Sequence, residues 1–196
     1  NKIKKERNDK KAFAEALILA QEEERKRIAR DLHDGVGQSL LLIKKQLQKE
    51  TEVTAENQQM ISDTLEEVRS ISRDLHPFQL YQCGLTATIE DTISKIEQST
   101  DLFISKEIED VNGALNGKAG IHLFRTIQEA LSNIVKHAEA TAAKITVTKG
   151  NNEVFVGIQD NGKGFDVALA GATSRSLGIR TMHERVSVMG GQLNIQ

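Results

Sequence analysis

His33 has neighbours of the kinds that could make an imidazole reactive, within the segment Arg30-Asp-Leu-His-Asp-Gly-Val-Gly-Gln38. If this segment is helical, His33 lies about 100° around the helix from the apolar Leu32, so we expect its ring on the flank of the helix, in solvent. Asp34 and Gln38 are four residues apart and share a face of that helix. The segment could therefore present an imidazole, a carboxylate and an amide to another molecule.

Two glycines, Gly35 and Gly37, follow His33 closely. Glycine in a helix interior costs roughly 1 kcal/mol relative to alanine, so a pair beside one histidine indicates that another molecule must approach the bare backbone. The alternative is an ordinary solvated histidine among surface charges, and spacing alone does not exclude it.

A second histidine provides an internal control, because Arg73-Asp-Leu-His76 repeats the tetrapeptide Arg30-Asp-Leu-His33. His76 is followed by Pro77 instead of a carboxylate, and the helix is expected to end there. We interpret His76 as a helix-end residue near the last carbonyl groups, and His33 as the reactive histidine.

A polar stripe is predicted on a helix in the second half of the chain. Glu129, Asn133, Lys136 and His137 stand at positions i, i+4, i+7 and i+8, opposite an apolar face. The oxygens of Asn133 and Glu129 suit a hard cation such as Mg²⁺, which keeps several waters and bridges phosphates, and Lys136 adds positive charge. An ordinary exposed helix face is the alternative.

Two segments further along contain glycines that would let backbone approach a ligand. Asp160 ends an apolar strand and is followed by Gly162 and Gly164, so its carboxylate could accept a hydrogen bond from an exocyclic amine. Gly178 and Ile179 stand at the start of the last predicted helix, whose N-terminal amides could receive phosphate. Each segment has an ordinary alternative: a common Asp-Asn-Gly turn for the first, and a plain helix start for the second.

The elements that carry these residues follow from the spacing of apolar side chains. A long helix is predicted from about residue 9 to 50, with a stripe at Leu17, Ala20, Ile28, Leu32, Val36, Leu40, Ile43 and Leu47. After a polar interruption at 51–56, where Thr54 is a candidate N-cap, a second helix runs to His76-Pro77. Its apolar positions are Ile61, Leu65, Val68, Ile71 and Leu75.

Each of these helices carries one narrow apolar stripe, which needs a partner helix to bury it. Two antiparallel helices make a hairpin, and two hairpins make a four-helix bundle, so we expect a homodimer. A monomeric hairpin packed on the rest of the chain is the alternative.

Beyond the only proline of the chain, the pattern changes to mixed α/β. We predict helices at 86–99, 118–138 and 178–189, strands at 102–108, 143–148, 153–158 and 192–195, and a glycine-punctuated loop at 160–176. Strands interleaved with helices predict a two-layer α/β sandwich. The predicted organisation is a helical hairpin at 1–76, a linker at 77–84 and an α/β domain at 85–196.

Composition excludes several other classes of protein. A net charge of −2 and an aromatic content of 4% do not favour nucleic-acid binding. The single cysteine, Cys83, excludes a disulfide framework and a cysteine-based metal site. No apolar run approaches the ~18 residues of a membrane span, and no signal peptide is visible. Because the chain begins with Asn1 inside a charged helical pattern, we expect it to be a fragment of a longer protein.

Taken in order, these segments resemble those of bacterial sensor histidine kinases, in particular the subfamily of the nitrate sensors and of the thermosensor of lipid desaturation. His-Asp-x-x-x-Gln on a long helix is followed by Asn-x-x-Lys-His, Asp-x-Gly-x-Gly and a glycine-containing lid. The resemblance covers nearly the whole chain from about Glu22 and is most specific at 27–34 and 129–138. It implies a dimerisation and phosphotransfer bundle joined to a Bergerat-type ATP-binding domain.

The resemblance also implies roles for the residues of the hairpin. His33 would accept the γ-phosphoryl group of ATP on a ring nitrogen, and Asp34 would orient the imidazole. Asp34 and Gln38 would position a water that dephosphorylates the partner regulator. A helix at the start of 1–76 would carry the signal into the bundle.

In the second domain, the resemblance implies an ATP site with Mg²⁺. Asn133 would hold the ion with help from Glu129, and Asp160 would bind adenine. The other nucleotide contacts would come from Lys136, His137, Gly162, Gly164, Gly178 and Ile179. Phosphoryl transfer needs positioning and charge neutralisation more than covalent help from the protein, so this division of roles is chemically reasonable.

The implied protein is a homodimeric kinase that passes phosphate from His33 to an aspartate of a response regulator, which we expect to carry a helix-turn-helix output domain. It would act in the cytoplasm, with the membrane reached only through segments upstream of this chain. It would not bind nucleic acid directly.

Two departures from the family pattern concern the ATP site. The lid of the family usually has three glycines, of which only Gly178 is present, and the chain stops at Gln196, before the strand that closes the family's domain. A catalytically weak dimeric scaffold that binds the regulator is therefore the alternative function. A different Bergerat-type ATPase ranks last, because such proteins lack a hairpin with His-Asp-x-x-x-Gln.

Overall fold

The computed structural model describes residues 2–47, 55–75, 78–151, 153–165 and 175–196. The chain divides into two compact units, Asn1–Phe78 and Gln79–Gln196. Within the described ranges, no helix combines the length and the apolar character needed to cross a membrane.

The described part of the first unit is helical. It comprises α1 (Lys2–Asp31), a first π turn (Leu32–Gly37), α2 (Gln38–Leu47) and α3 (Ala55–Leu75). The prediction of one uninterrupted helix was wrong, because a turn of π-helix separates α1 from α2. Glycines at 35 and 37 lower the cost of leaving α-helical geometry there. The predicted connection at 51–54, including Thr54, and the helix end at His76-Pro77 lie outside the described residues.

Two side-chain hydrogen bonds join the helices of this hairpin. The hydroxyl of Ser72 donates to the carbonyl of Ala29 over 2.9 Å, and Nζ of Lys44 donates to Oγ of Ser62 over 3.0 Å. Ser72, late in α3, bonds to Ala29 in α1, whereas Ser62, earlier in α3, bonds to Lys44 in α2. The helix α3 therefore runs antiparallel to α1 and α2. Leu65 is buried in α3. The predicted helical hairpin is confirmed.

The buried positions differ from the predicted apolar stripe. Ala29 and Gly37 are buried, although neither belongs to that stripe, whereas Leu17, Val36 and Ile43 are 51%, 44% and 46% exposed. A π turn changes the angular position of the residues that follow it, so the α-helical spacing does not continue past residues 32–37. Leu17 and Ala29 precede this turn, so it does not account for their exposure and burial.

The second unit alternates helices and strands. It contains α4 (Phe78–Gln82), α5 (Gly84–Ser99), β1 (Phe103–Ile108), α6 (Gly117–Asn133), a second π turn (Ile134–Ala138), β2 (Ala142–Lys149), β3 (Val154–Asp160) and α7 (Arg175–Val188). The segment predicted as a linker is not extended, since α4 occupies most of it. Leu80 in α4 is buried in the core of this unit, which accounts for its helical, packed state.

The three described strands form one sheet in the order β1-β2-β3. β1 and β2 are parallel, and β2 and β3 are antiparallel, with Ala143 opposite Asp160. α5 and α6 pack on one face; the largest fully buried side chains of this core are Ile89, Ile93, Val111, Ile127, Leu131, Ile145 and Val147. Phe103 and Phe155 remain exposed on their strands. A sheet with one buried face confirms the two-layer α/β architecture.

The prediction of a C-terminal strand at 192–195 was wrong, because residues 191–196 have no regular secondary structure. The end of α7 was predicted more closely. Gly190 has a positive φ of 78°, and the amide of Gly191 donates to the carbonyl of Val186 over 2.9 Å. This is a glycine-dependent helix end. α7 begins at Arg175, earlier than predicted.

Candidate functional site

His33 occupies the second position of the first π turn, and its side chain is 65% exposed. Its Nδ1 lies 3.0 Å from Oδ1 of Asp34, which is also exposed. An ionised carboxylate can only accept a hydrogen bond, so this contact places the hydrogen of the neutral ring on Nδ1. Nε2 is then the unprotonated nitrogen, which is the form that a nucleophile requires.

The backbone of the first π turn is open at Gly35, whereas Gly37 is buried. A Cβ built on Gly35 would meet nothing within 4 Å. The Gly35 carbonyl accepts the hydroxyl of Ser39 over 2.8 Å and the amide of Gln38, which begins α2 and is exposed. Asp34 lies within the π turn and Gln38 directly follows it, so the exact α-helical offset does not hold for this pair, and their shared face remains a prediction.

Nearly two turns before His33, Arg27 orders the exposed charges of α1. Its guanidinium contacts Oε2 of Glu24 over 2.9 Å and Oδ2 of Asp31 over 3.0 Å. The hydrogen bond from Arg27 lowers the pKa of Glu24, and the same bond raises the pKa of Arg27. Both groups are solvent-exposed, so the network adds little stability. Arg27 contacts the carboxylates of Glu24 and Asp31, whereas the carboxylate of Asp34 contacts the imidazole of His33.

In the second unit, the predicted polar stripe is divided between two kinds of helix. Glu129 and Asn133 are half-buried on α6, whereas Lys136 and His137 are exposed in the second π turn. The i+7 and i+8 spacing assumed an α-helix through residue 138, and that assumption was wrong. Lys136 and His137 therefore do not follow the α-helical offsets from Glu129 and Asn133.

The segment after β3 contacts the end of this second π turn. Oδ1 of Asp160 accepts the amide of Gly162 over 2.8 Å, and the amide of Lys163 donates to the carbonyl of Ala138 over 2.9 Å. A Cβ on Gly162 would lie 2.4 Å from that carbonyl oxygen, so only glycine fits without a shift of the loop. Gly164 has a φ of +60°, which glycine adopts without strain.

The side chain of Lys163 makes a second connection. Its ammonium group contacts Oε1 of Glu139, and this hydrogen bond lowers the pKa of the Glu139 carboxyl. Glu139 itself has a φ of 55°, the left-handed conformation that ends the π turn. The loop that carries Asp160 is therefore held to the C-terminal end of the helix that carries Glu129 and Asn133.

α7 contacts the same helix at Glu129, one turn before its C-terminal end. A Cβ built on Gly178 would lie 2.2 Å from Oε1 of Glu129, so a side chain at this position would displace the carboxylate. Ile179, the next residue, is half-buried. The structure thus brings the start of α7 to Glu129 and the Asp160 loop to the end of α6. Residues 166–174 of the predicted lid loop lie outside the described chain.

The donors predicted for Mg²⁺ fit the chemistry of that ion. Asn133 and Glu129 supply an amide and a carboxylate oxygen one turn apart on α6. The described residues contain no cluster of three His, Cys, Asp or Glu side chains that could hold a metal. Mg²⁺ commonly keeps waters and phosphate oxygens and takes only one or two protein oxygens, so the pair is sufficient for such an ion.

Several features of the site escaped the sequence analysis. Of the two π turns, only the first has a signal in the sequence, namely the two glycines that interrupt a helix. Asn161 was treated as part of a common turn, yet its side chain makes three hydrogen bonds, which are described below. The contact between Gly178 and Glu129 joins residues 49 positions apart, which no local spacing indicates.

Two family models match the chain. HisKA_3, described as histidine kinase, matches residues 24–80, and HATPase_c, described as histidine kinase-, DNA gyrase B- and HSP90-like ATPase, matches residues 118–196. The chain joins the HisKA_3 and HATPase_c regions of a sensor histidine kinase. The first contains the His33 segment, and the second contains the segments around Glu129, Asp160 and Gly178.

Curated relatives agree with this assignment. The sensor histidine kinase MctS of Rhizobium johnstonii is 31% identical over 94% of this chain and 43% of its own length. The signal transduction histidine-protein kinase/phosphatase DegS of Brevibacillus brevis is 32% identical over 96% of this chain and 51% of its own length. The chain thus spans about half the length of the curated relatives it matches.

A solved structure supports the fold. The blue-light activated histidine kinase EL346 of Erythrobacter litoralis matches with a TM-score of 0.53 at 19% identity, over 71% of this chain and 55% of its own. The resemblance to HisKA_3-type sensor kinases and the order of hairpin and ATPase domain are confirmed. HATPase_c domains bind ATP, so this histidine kinase core contains an ATP-binding domain. The role of each side chain remains a prediction.

Proposed function

We propose that this histidine kinase core transfers the γ-phosphoryl group of ATP to its own His33 and then to an aspartate of a response regulator. The observation that carries the proposal is the contact between Nδ1 of His33 and Oδ1 of Asp34, at 3.0 Å on an exposed helix flank. In the neutral form of the ring, this contact places the hydrogen on Nδ1 and leaves Nε2 as the nitrogen that can act as nucleophile.

In the proposed reaction, Nε2 of His33 attacks the γ-phosphorus in line with the bond to the β-phosphate oxygen. That bond breaks and its electron pair leaves with ADP, while the hydrogen on Nδ1 stays in place. The ring becomes cationic as the new N–P bond forms, and Asp34 stabilises that charge through its existing contact. Positioning and charge neutralisation supply most of the catalysis in such transfers.

On the nucleotide side, we assign the donors to the three segments that meet at α6. Asn133 and Glu129 would hold Mg²⁺, which when bound neutralises charge on the phosphates. Asp160 would accept a hydrogen bond from the adenine amine, and the open backbone at Gly162 and Gly164 would let the base approach. Lys136, His137, Gly178 and Ile179 would contact the phosphates and the sugar.

We further propose that the chain works as a homodimer. In the single chain, several large apolar side chains of the hairpin are exposed: Leu17, Val36, Leu41, Leu42, Ile43, Met60 and Ile71. Exposed apolar side chains along two antiparallel helices suit burial against a second hairpin in a four-helix bundle.

Dephosphorylation of the regulator is part of the same proposal. DegS of Brevibacillus brevis is named as both kinase and phosphatase. Asp34 and Gln38 flank the open glycine backbone of the first π turn, where a regulator could bring its phosphorylated aspartate and a water close to them. We expect the regulator to carry a helix-turn-helix output domain, and the core to lie in the cytoplasm as part of a membrane-anchored sensor.

Labelled ATP tests the central claim. The full chain is incubated with γ-labelled ATP and Mg²⁺, beside His33→Gln and, as a matched control, His183→Gln on an exposed position of α7. Label should appear in the wild type and in His183→Gln, should be acid-labile as a phosphoramidate is, and should vanish in His33→Gln. Label that survives the substitution at 33 would contradict the proposal.

A further inference from the structure

We propose that Asn161 is a positioning residue, which fixes Asp160 for recognition of the adenine amine and so sets the preference of the site for ATP over GTP. The proposal rests on the proposed ATP-dependent function and adds a residue to it. Asn161 is the neighbour of Asp160 in the chain, and it would act without touching the nucleotide.

The amide side chain of Asn161 is held on both of its ends. Its Oδ1 accepts the backbone amides of Thr141 over 3.0 Å and of Ala142 over 2.9 Å, while its Nδ2 donates to Oγ1 of Thr141 over 2.9 Å. Its own backbone amide donates to the carbonyl of Ala142 over 3.1 Å. Four hydrogen bonds therefore connect one residue to the first residues of β2.

These bonds fix the point at which β3 ends. Ala143 pairs with Asp160 in the last register position of β2 and β3, so Asn161 extends the ladder by one residue through its side chain. Without that side chain, the amides of Thr141 and Ala142 would lose their acceptor, and only the backbone bond from Asn161 to Ala142 would remain beyond the Ala143–Asp160 pair. Strand ends without such anchors are mobile.

The carboxylate of Asp160 is oriented by the residues on both sides of it. Oδ1 accepts the amide of Gly162 over 2.8 Å, and within the described chain Oδ2 receives no hydrogen bond. Asn161 fixes the backbone that carries this carboxylate, and the bond from Lys163 to Ala138 fixes the loop after it. The free oxygen is thereby held in one direction relative to the end of α6.

This orientation bears on the choice of base. Adenine presents an amino group at position 6, which donates to a carboxylate, whereas guanine presents a carbonyl oxygen, which repels one. The discrimination depends on a well-placed acceptor, because a carboxylate that can turn away loses the attraction and the repulsion together. A residue that positions Asp160 therefore changes the ratio of ATP to GTP affinity, which general destabilisation does not.

The experiment measures dissociation constants of the full chain for non-hydrolysable analogues of ATP and GTP, by calorimetry, for four proteins. They are the wild type, Asn161→Ala, Asn161→Asp and Asn112→Ala. Asn112 is the matched control, since its Oδ1 also accepts a backbone amide, that of Thr86, over 3.3 Å. Asn112 follows β1 and lies at the opposite end of the sheet from Asp160, because Ile108 pairs with Val147 whereas Asp160 pairs with Ala143.

We expect Asn161→Ala to weaken binding of the ATP analogue by about tenfold, the effect of losing roughly one good hydrogen bond, while binding of the GTP analogue stays the same or tightens because the repulsion is lost. Asn161→Asp keeps an acceptor for both amides, and the Thr141 hydroxyl can donate to it, so it should retain most of the preference for ATP. Asn112→Ala should keep the wild-type ratio even where it lowers the unfolding temperature.

An ATP-to-GTP affinity ratio in Asn161→Ala that equals the wild-type ratio overturns the proposal. If that variant does not fold, Thr141→Val takes its place. It removes only the Oγ1 contact and should lower the ATP-to-GTP affinity ratio by a smaller factor. An unchanged ratio in Thr141→Val would also overturn the proposal. A wild-type chain that binds neither analogue contradicts the proposed function instead, so the two failures are distinguishable.

Discussion

Two π turns carry residues of the candidate site, and they differ in how the rest of the molecule holds them. The first, Leu32–Gly37, is exposed around His33, where the hydrogen bonds of side chains are local ones that involve Asp34 and Ser39. The second, Ile134–Ala138, has Ile134 in the core and receives a backbone hydrogen bond from Lys163 at Ala138. The first is open to solvent, and the second is fixed from both sides.

The difference follows from what each turn has to do. A phosphate-accepting histidine must be reached in turn by ATP and by a regulator, so its surroundings must leave room for large partners. A nucleotide site must hold its donors in place before the substrate arrives, because fixed dipoles and charges stabilise a transition state without reorganising. Four predictions test this contrast, from the largest expected effect to the smallest.

Asp34→Asn should reduce autophosphorylation about 100-fold or more, within the range that general acid–base and orienting groups contribute. The amide can donate to Nδ1 of His33, which would move the ring hydrogen to Nε2 and block attack. Initial rates of labelling measure the effect. Asp31→Asn is the control, because it removes the same charge nearby from a carboxylate that contacts Arg27. Equal losses in the two variants would mean that charge, and not tautomer, is what matters.

Gly162→Ala should destabilise the second unit by about 1–3 kcal/mol, the usual cost of forcing extra atoms into a packed place. The added methyl would lie 2.4 Å from the Ala138 carbonyl oxygen. Gly117→Ala is the control, since nothing lies within 4 Å of a Cβ there. Urea unfolding of both variants measures the difference. A Gly162→Ala protein as stable as the control would show that the second π turn is less firmly held than described.

Ser72→Ala should cost about 1 kcal/mol, because it removes a buried hydrogen bond and leaves the Ala29 carbonyl without that donor. Ser39→Ala removes only an exposed bond within the first π turn and should change stability by less than about 0.5 kcal/mol. Thermal unfolding at one fixed protein concentration compares them. If Ser39→Ala were the more damaging change, the first π turn would not be the loosely held one.

The Glu139–Lys163 contact should make a small, pH-dependent contribution. The lowered pKa of Glu139 means that the folded state binds its proton less readily than the unfolded state. The resulting stability is present above the ordinary pKa of a glutamate and is lost as the pH falls through the lowered value in the folded state. The difference in urea midpoint between wild type and Glu139→Gln should therefore be largest near neutrality and shrink in acid. A difference independent of pH would refute this cause.

The sequence predicted a large part of this protein. The three-and-four spacing of apolar residues predicted the hairpin, and the alternation of strand and helix patterns predicted the two-layer domain, because both depend on which face of an element avoids water. The order of four short segments predicted the family. The role of each side chain in those segments remains a prediction, and the tests above address it.

The tertiary structure decided what spacing cannot express. An α-helical offset was the basis for placing Gln38 on the face of Asp34 and Lys136 in line with Asn133, and the structure has a π turn at both places, where that offset does not hold exactly. Gly178 meets Glu129 and Asn161 meets Thr141 through packing between elements far apart in the chain. The strand predicted at 192–195 failed for the same reason: a strand exists only where a neighbouring strand accepts its hydrogen bonds.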